Sequence, residues 1–361
     1  MENMGLDIFH NFYKGKTVLV TGHTGFKGSW LSIWLNELGV KVVGYGLDPY
    51  TDKDNFVVTG LKDKIIDIRG DIREEGKLDE VFKMYKPQIV FHLAAQPLVR
   101  LSYENPKETY ETNVMGTLNV LECIRKSDCV RVGIMITTDK CYENKEQIWP
   151  YREDDPMGGY DPYSSSKGCC ELLISSYRNS FINSKDYDKH GKAIASVRAG
   201  NVIGGGDWSK DRIVPDCIRA LMNREDINIR NPKAVRPWQH VLEPLSGYML
   251  LAKKMYEDNT SYCSGWNFGP DYDSIVPVSK IADLITKEWG SGKWRDVSNE
   301  NAPHEANLLR LDCTKAKTYL KWSPKLNIEE ALELTLGWYK YFNVKDPYEL
   351  CINQIQNYCK K

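Results

Sequence analysis

Residues 17–28 read Thr-Val-Leu-Val-Thr-Gly-His-Thr-Gly-Phe-Lys-Gly, a short apolar β-branched run that breaks into three glycines at every third position. From there to Gly39 the apolar residues Trp30, Leu31, Trp34, Leu35 and Leu38 recur at three- and four-residue steps, which is one face of a helix. Residues 40–45 (Val-Lys-Val-Val-Gly-Tyr) then read as a second strand. Strand, glycine turn, helix and strand within about thirty residues is the form of a dinucleotide-binding unit. Glycine permits the positive φ of such a turn and lets the backbone approach a pyrophosphate closely, while the helix start offers unpaired N–H groups. Gly22, Gly25, Phe26, Lys27 and Gly28 are therefore expected to cradle the phosphates of a cofactor. Asp48 lies 20 residues past Gly28, just beyond the second strand, where an acid accepts ribose hydroxyls and repels a 2′-phosphate. That favours NAD over NADP. Asp48 also precedes Pro49, and Asp before Pro is a common turn pair. Asp71 and Ile72 are expected to bracket the adenine.

The alternation continues outward from this unit. Strands are expected at 64–68, 88–92, 130–136 and 193–197, and helices at 77–85, 107–124 and from Tyr163 onward. Strands alternating with helices imply a parallel sheet covered on both faces. Past residue 198 the pattern weakens into a Gly-, Trp-, Pro- and Arg-rich stretch, with further helices at 278–288 and 328–341. The fold class expected is α/β: a Rossmann-type doubly wound parallel sheet with a smaller, discontinuous α+β substrate-binding domain. The NAD-binding domain is expected over 1–198 plus about 236–268, and the sugar-nucleotide domain over about 199–235 plus 269–361.

Composition narrows the class. The 361 residues carry 48 Lys plus Arg against 49 Asp plus Glu, so no basic excess exists to track a nucleic-acid backbone. With 42% hydrophobic and 27% charged residues the chain is neither disordered nor membrane-like. The apolar stretch 30–38 is too short to span a bilayer, and the first sixteen residues have no apolar signal core. A soluble cytoplasmic protein is expected. The ten cysteines form no CxxC pair, which argues against a zinc ribbon and a disulfide framework, and no histidine has metal-ligand spacing.

Tyr163 and Lys167 stand four apart, so on a helix the phenol and ammonium share a face. Bringing a phenol from ~10 to near neutrality takes about 4 kcal/mol. An ammonium ~5 Å away at an effective dielectric of ~20 supplies about 3 kcal/mol, and the positive charge of an oxidised nicotinamide the remainder. The expected strand before residue 137 delivers Thr137-Thr138-Asp139-Lys140 at its carboxyl end, where open α/β sheets bind ligands. Thr138 can orient a substrate oxygen, and Asp139 with Lys140 is either an acid/base pair or a solvated surface pair.

The glycine turn, Leu93-Ala94-Ala95-Gln96, a Thr after the fifth strand and Tyr-x-x-x-Lys together resemble the extended short-chain dehydrogenase/reductase family. Blocks at 138–144, 151–155, 158–164, 198–208 and 236–248 are similar to its nucleotide-sugar 4,6-dehydratase branch. Lys140 stands where dTDP-glucose members carry Glu, and this departure is shared with the members that act on CDP-glucose. The resemblance implies an internal redox dehydration of CDP-glucose with NAD as cofactor. It implies Tyr163 as base for the 4-hydroxyl, Lys167 holding the ribose and tuning Tyr163, Thr138 on O4, and Asp139 protonating the departing 6-hydroxyl. Lys140 is then either the base for the C5 proton or an electrostatic stabiliser. It further implies Leu93, Ala94, Ala95, Gln96 and Thr112 along the cofactor, and Asn201, Arg212, Arg236 and His304 along the sugar nucleotide. Members of the family commonly pair through two long helices, here 104–125 and 162–182, so a homodimer or higher homo-oligomer is expected. A nucleotide-sugar 4-epimerase would share the cofactor site but needs no acid/base pair for elimination. A regulator that merely binds nicotinamide would need neither Tyr163 nor Lys167.

Overall fold

A computed structural model describes residues 6–299 and 308–361. Twelve strands lie among the described residues: β1 (Thr17–Thr21), β2 (Lys41–Gly46), β3 (Ile66–Arg69), β4 (Ile89–His92), β5 (Val132–Ile136), β6 (Ala193–Ala199), β7 (Asn201–Ile203), β8 (Ile227–Ile229), β9 (Val235–His240), β10 (Gly265–Phe268), β11 (Ile275–Pro277) and β12 (Trp294–Asp296). Seven form one parallel sheet in the order β10-β6-β5-β4-β1-β2-β3. The order reverses between β1 and β4, and a crevice opens past the carboxyl ends of strands at such a switch point. The register pairs Thr21 with His92, so Gly22 and Leu93 leave the sheet side by side.

Both faces of the sheet are covered, as β-branched strands without polar alternation require. Val18 and Val20 pack with Trp30 and Trp34 on one side, whereas Leu19 joins Val120 and Ile124 on the other. Helices that line the crevice include α1 (Phe26–Glu37), α2 (Val99–Glu104), α3 (Pro162–Ser180) and α4 (Ile213–Met222). Asp161 caps α3, its carboxylate accepting from the Ser164 N–H at 2.9 Å, and Pro162 occupies the first turn, where a missing N–H does no harm.

The helix expected at 107–124 is not continuous. Pro106–Tyr110 and Gly116–Lys126 are α-helical, and a π turn over Glu111–Met115 lies between them. Asn113 within that turn bonds both backbone groups of Gln96, accepting at 2.8 Å and donating at 3.1 Å, and donates to the Ser166 hydroxyl at 2.8 Å. The wider turn thus ties the loop after β4 to α3, a local requirement that apolar periodicity cannot reveal. The weak pattern past residue 198 conceals two small sheets, β11-β9-β7 and β12-β8, most of whose strands have three residues. Such runs are too short to show a period.

Two buried histidines make the fold less stable in acid. His92 bridges the hydroxyls of Thr21 (2.8 Å) and Thr117 (3.0 Å), and burial pushes it down to about 3, assisted by Lys167. Burial likewise pushes His240 to about 3. Unfolded histidine titrates near 6.5, so below that pH the unfolded chain takes up protons that the folded chain refuses. Stability is therefore full above pH ~6.5 and declines as pH falls towards 3, by about 2 kcal/mol per histidine at pH 5. Thermal unfolding followed across pH 7.5 to 5 should show this decline, and an unchanged midpoint would refute it.

Candidate active site

A cleft of about 1180 Å³ runs along the carboxyl edge of the sheet, over the β1/β4 switch point and on towards β8 and β12. Gly22, Gly25, Phe26, Lys27 and Gly28 line its first wall. Gly22 has φ +72°, and a Cβ there would sit 2.8 Å from the Ala94 nitrogen. A Cβ on Gly28 would meet the Gly22 carbonyl at 2.0 Å, so this glycine is required by the packing of α1 on β1. Gly25 differs. Its backbone is extended, and a Cβ would meet only the Gly22 oxygen at 3.4 Å. Nothing in the protein itself strongly demands glycine there, whereas a pyrophosphate resting on the start of α1 does. The cradle therefore fits a dinucleotide. Gly25→Ala should fold normally and bind NAD more weakly, and calorimetric titration yielding wild-type affinity would refute this reading of the turn.

The other expected cofactor residues divide by what their side chains do. Asp48 lines the cleft at an exposed rim, 3.6 Å from Arg69. The Asp71 carboxylate is occupied by Arg73, whose hydrogen bonds hold it below the usual carboxylate range, while Ile72 is buried beside it. Leu93, Ala94, Ala95 and Thr112 all face the cleft. Gln96 lines it too, but its amide braces its own loop, donating to Thr109 at 2.9 Å and Leu98 O at 3.1 Å and accepting from Leu98 N at 2.6 Å.

Thr138, Asp139, Lys140, Tyr163 and Lys167 converge on the middle of the cleft. Lys167, expected to tune the Tyr163 phenol, lies buried in the same cleft. Lys167 donates to the Ile136 carbonyl at 3.2 Å, and burial lowers its own pKa. Burial raises the Tyr163 phenol, with the Thr138 hydroxyl and the Arg212 charge opposing that rise and Asp139 adding to it. Arg212 is thus a cation of this chain that bears on the phenol. Asp139 is 3% exposed, and its Oδ1 accepts from the Thr138 hydroxyl at 3.0 Å. Its Oδ2 is buried without a partner, and burial holds the carboxyl above the usual range against the pull of Lys140. Burial thus favours the protonated form of this carboxyl, the form that can give up a proton.

A buried network that the sequence reading missed fixes this turn. Glu171, eight residues past Tyr163 on the same face of α3, accepts from Thr137 Oγ1 at 2.5 Å, Ser196 Oγ at 2.7 Å and Arg198 at 2.8 and 2.9 Å. Burial alone would raise Glu171, but Arg198 and the two hydroxyls keep it low. Its i+4 spacing from Lys167 is the signal that would have pointed to it.

On the substrate wall Asn201, Arg212 and Arg236 line the cleft. Asp207, buried and also unforeseen, holds Arg212 at 2.8 Å. Arg236 is nearly buried and donates to the Val235 carbonyl at 3.0 Å. His304 lies outside the described residues. Lys27 stands between these walls, lowered to about 8 first by burial and then by Arg212 and Lys167. Among the described residues no cluster of three His, Cys, Asp or Glu side chains is arranged to hold a metal ion.

Known proteins share this architecture. The chain superposes on a UDP-glucose 4-epimerase of Thermotoga maritima determined with UDP-glucose, with TM-score 0.75, 25% identity and coverage of 91% of this chain and 98% of that one. It also superposes on a dTDP-glucose 4,6-dehydratase of Streptomyces venezuelae determined with NAD bound, with TM-score 0.76, 20% identity and coverage of 92% and 99%. In sequence it is 52% identical over 330 residues to a CDP-glucose 4,6-dehydratase of Salmonella typhimurium, spanning 91% of this chain and 92% of that protein. The family model for GDP-mannose 4,6 dehydratase matches residues 19–335. With a switch-point cleft, a glycine cradle and Tyr163, Lys167 and Asp139 gathered between them, the chain belongs to the GDP-mannose 4,6 dehydratase family of extended short-chain dehydrogenases/reductases.

Proposed function

We propose that the protein is an NAD-dependent lyase that converts CDP-glucose to CDP-4-keto-6-deoxyglucose and water. The observation that carries this reading is Asp139, a buried carboxyl with one unpartnered oxygen, set beside Lys140 in the cleft that holds Tyr163. An epimerase has no proton to deliver to a leaving hydroxyl, and a binding protein needs no such acid. Identity of 52% to a CDP-glucose 4,6-dehydratase supports the same choice of reaction and of base.

Gly22, Gly25, Phe26, Lys27 and Gly28 on one side and Lys167 on the other would hold NAD, whose nicotinamide would supply an oxidant for C4 and a hydride for C6. Thr138 fixes O4 and Tyr163 removes the 4-hydroxyl proton. The ketone so formed acidifies the C5 hydrogen, which neutral Lys140 takes, while Asp139 protonates the 6-hydroxyl as it leaves. That exchange ends in an Asp139 carboxylate beside a Lys140 ammonium, the ion pair that ordinary acidities favour. As hydride arrives at C6 the Lys140 ammonium gives a proton back to C5, and the proton that Tyr163 took from O4 restores Asp139. Asn201, Arg212, Arg236 and His304 hold the sugar nucleotide, the arginines through paired hydrogen bonds to phosphate.

The cofactor side comprises 1–198 with about 236–268, and the sugar-nucleotide side about 199–235 with 269–361. In keeping with this, β10 closes the large sheet while β7, β8, β11 and β12 lie outside it; β9 is the exception, built into a small sheet. The protein acts in the cytoplasm as a homodimer paired through Pro106–Lys126 and α3, on which Met115, Leu172 and the adjacent Phe181 expose apolar side chains. No helix among the described residues is long and apolar enough to cross a membrane.

Incubation of the protein with NAD and CDP-, dTDP-, UDP- and GDP-glucose, followed by mass analysis, tests the proposal. Loss of one water from CDP-glucose, and much less from the others, is expected. An isomer of equal mass would make it an epimerase, and preference for another base would correct the substrate.

A further inference from the structure

Two arginines from different parts of the chain meet at one carboxylate inside the cleft. Arg100 stands on α2, in the segment after β4, and Arg230 directly follows β8. Asp211, between them, accepts from Arg230 Nη1 at 2.5 Å and lies 3.8 Å from Arg100 Nε. All three residues line the cleft. A separation of 3.8 Å is too long for a hydrogen bond, and Arg100 Nε is buried with no hydrogen-bond partner. A buried donor on a charged group is costly to leave unmet, so its persistence calls for an acceptor. The triad carries one more positive than negative charge, so that acceptor should be an anion.

The donor is held in place from both ends. Gln96 and Leu98 brace the approach to α2 through hydrogen bonds of 2.6 and 3.1 Å. Further along, the Ser102 hydroxyl accepts from the backbone N–H of Tyr163 at 3.1 Å, so α2 is fastened to the start of α3. Asp211 is also the immediate neighbour of Arg212, whose guanidinium Asp207 holds from behind at 2.8 Å. Arg100 and Arg212 both line the cleft.

We propose that Arg100 is a substrate-binding residue whose unmet Nε–H donates to the diphosphate of the sugar nucleotide, with Arg230 opposite it. Asp211 keeps the two guanidiniums together until phosphate takes its place between them, because a diphosphate offers more charge and more acceptor oxygens than one carboxylate. This assignment rests on the nucleotide-sugar reading above, and it adds a contact on the cofactor side of the cleft to those of Arg212 and Arg236.

The test is direct binding of CDP and of cytidine to the NAD-loaded protein, by calorimetry. Arg100→Met should weaken CDP roughly 10- to 100-fold, the worth of one charge-assisted hydrogen bond, and leave cytidine and NAD unchanged. Arg100→Lys keeps the charge and bulk but lacks the Nε donor, and should lose part of the CDP affinity in the same selective way. CDP affinity unchanged in Arg100→Lys and Arg100→Met, or an equal loss for CDP and cytidine, overturns the assignment. A wild-type protein that ignores CDP but binds another nucleoside diphosphate would instead overturn the choice of base, and the Arg100 comparison would then be made with that nucleotide.

Discussion

Tyr163→Phe is expected to reduce turnover of CDP-glucose by about 10²- to 10⁴-fold, the usual contribution of a positioned general base. The ring is 8% exposed, so its packing should persist when only the hydroxyl is removed. Fold, NAD binding and substrate binding should all survive, and the loss should fall on kcat rather than KM. Burial raises the phenol, and the Thr138 hydroxyl and then the Arg212 charge oppose that rise. Lys167 on the same helix face, and the positive charge that bound oxidised nicotinamide would supply, both favour the ionised phenol. Near-full turnover in Tyr163→Phe would make the tyrosine a bystander.

Lys140→Met should separate the two halves of the reaction. Unperturbed carboxyl and ammonium groups prefer to be an ion pair by ~6.5 pKa units, or about 9 kcal/mol. Burial of Asp139 works against its charged form and so towards the neutral pair from which elimination can start. Without the amine, C4 should still be oxidised but the C5 hydrogen should stay in place. The 4-ketone would form and stop there, with C5 failing to exchange in deuterated solvent and water loss falling by the same ~10²–10⁴-fold expected of a missing base. Rapid C5 exchange in Lys140→Met, with water loss alone slowed, would show that Lys140 stabilises the departing charge and that another group is the base.

Much of this was legible in the chain because it depends on local pattern. Val18, Leu19 and Val20 with the glycines of 22–28 specify strand, turn and helix within one window, and the parallel sheet follows from repeating that unit. Tyr163 and Lys167 were found because four residues is one helical turn. What sequence spacing could not reveal depends on segments distant in the chain. Glu171 meets Arg198 and Thr137 only when α3 lies across β5 and β6, and Asn113 meets Gln96 only through a π turn. Lys167 faces the cleft as expected and donates to the Ile136 carbonyl at 3.2 Å, a partner invisible to residue spacing. Arg100 gave no signal at all, since a single arginine on a short helix acquires meaning only from Asp211 and Arg230 across the cleft.

One enzyme oxidises C4, expels water across C5–C6 and reduces C6 with the hydride it took from C4. CDP-glucose carrying deuterium at C4 tests this in a single incubation with the NAD-loaded protein. The account predicts a product lighter by one water with the deuterium now at C6, located by mass and nuclear magnetic resonance. A product of equal mass, or a dehydrated product whose deuterium has been lost to solvent, would contradict it.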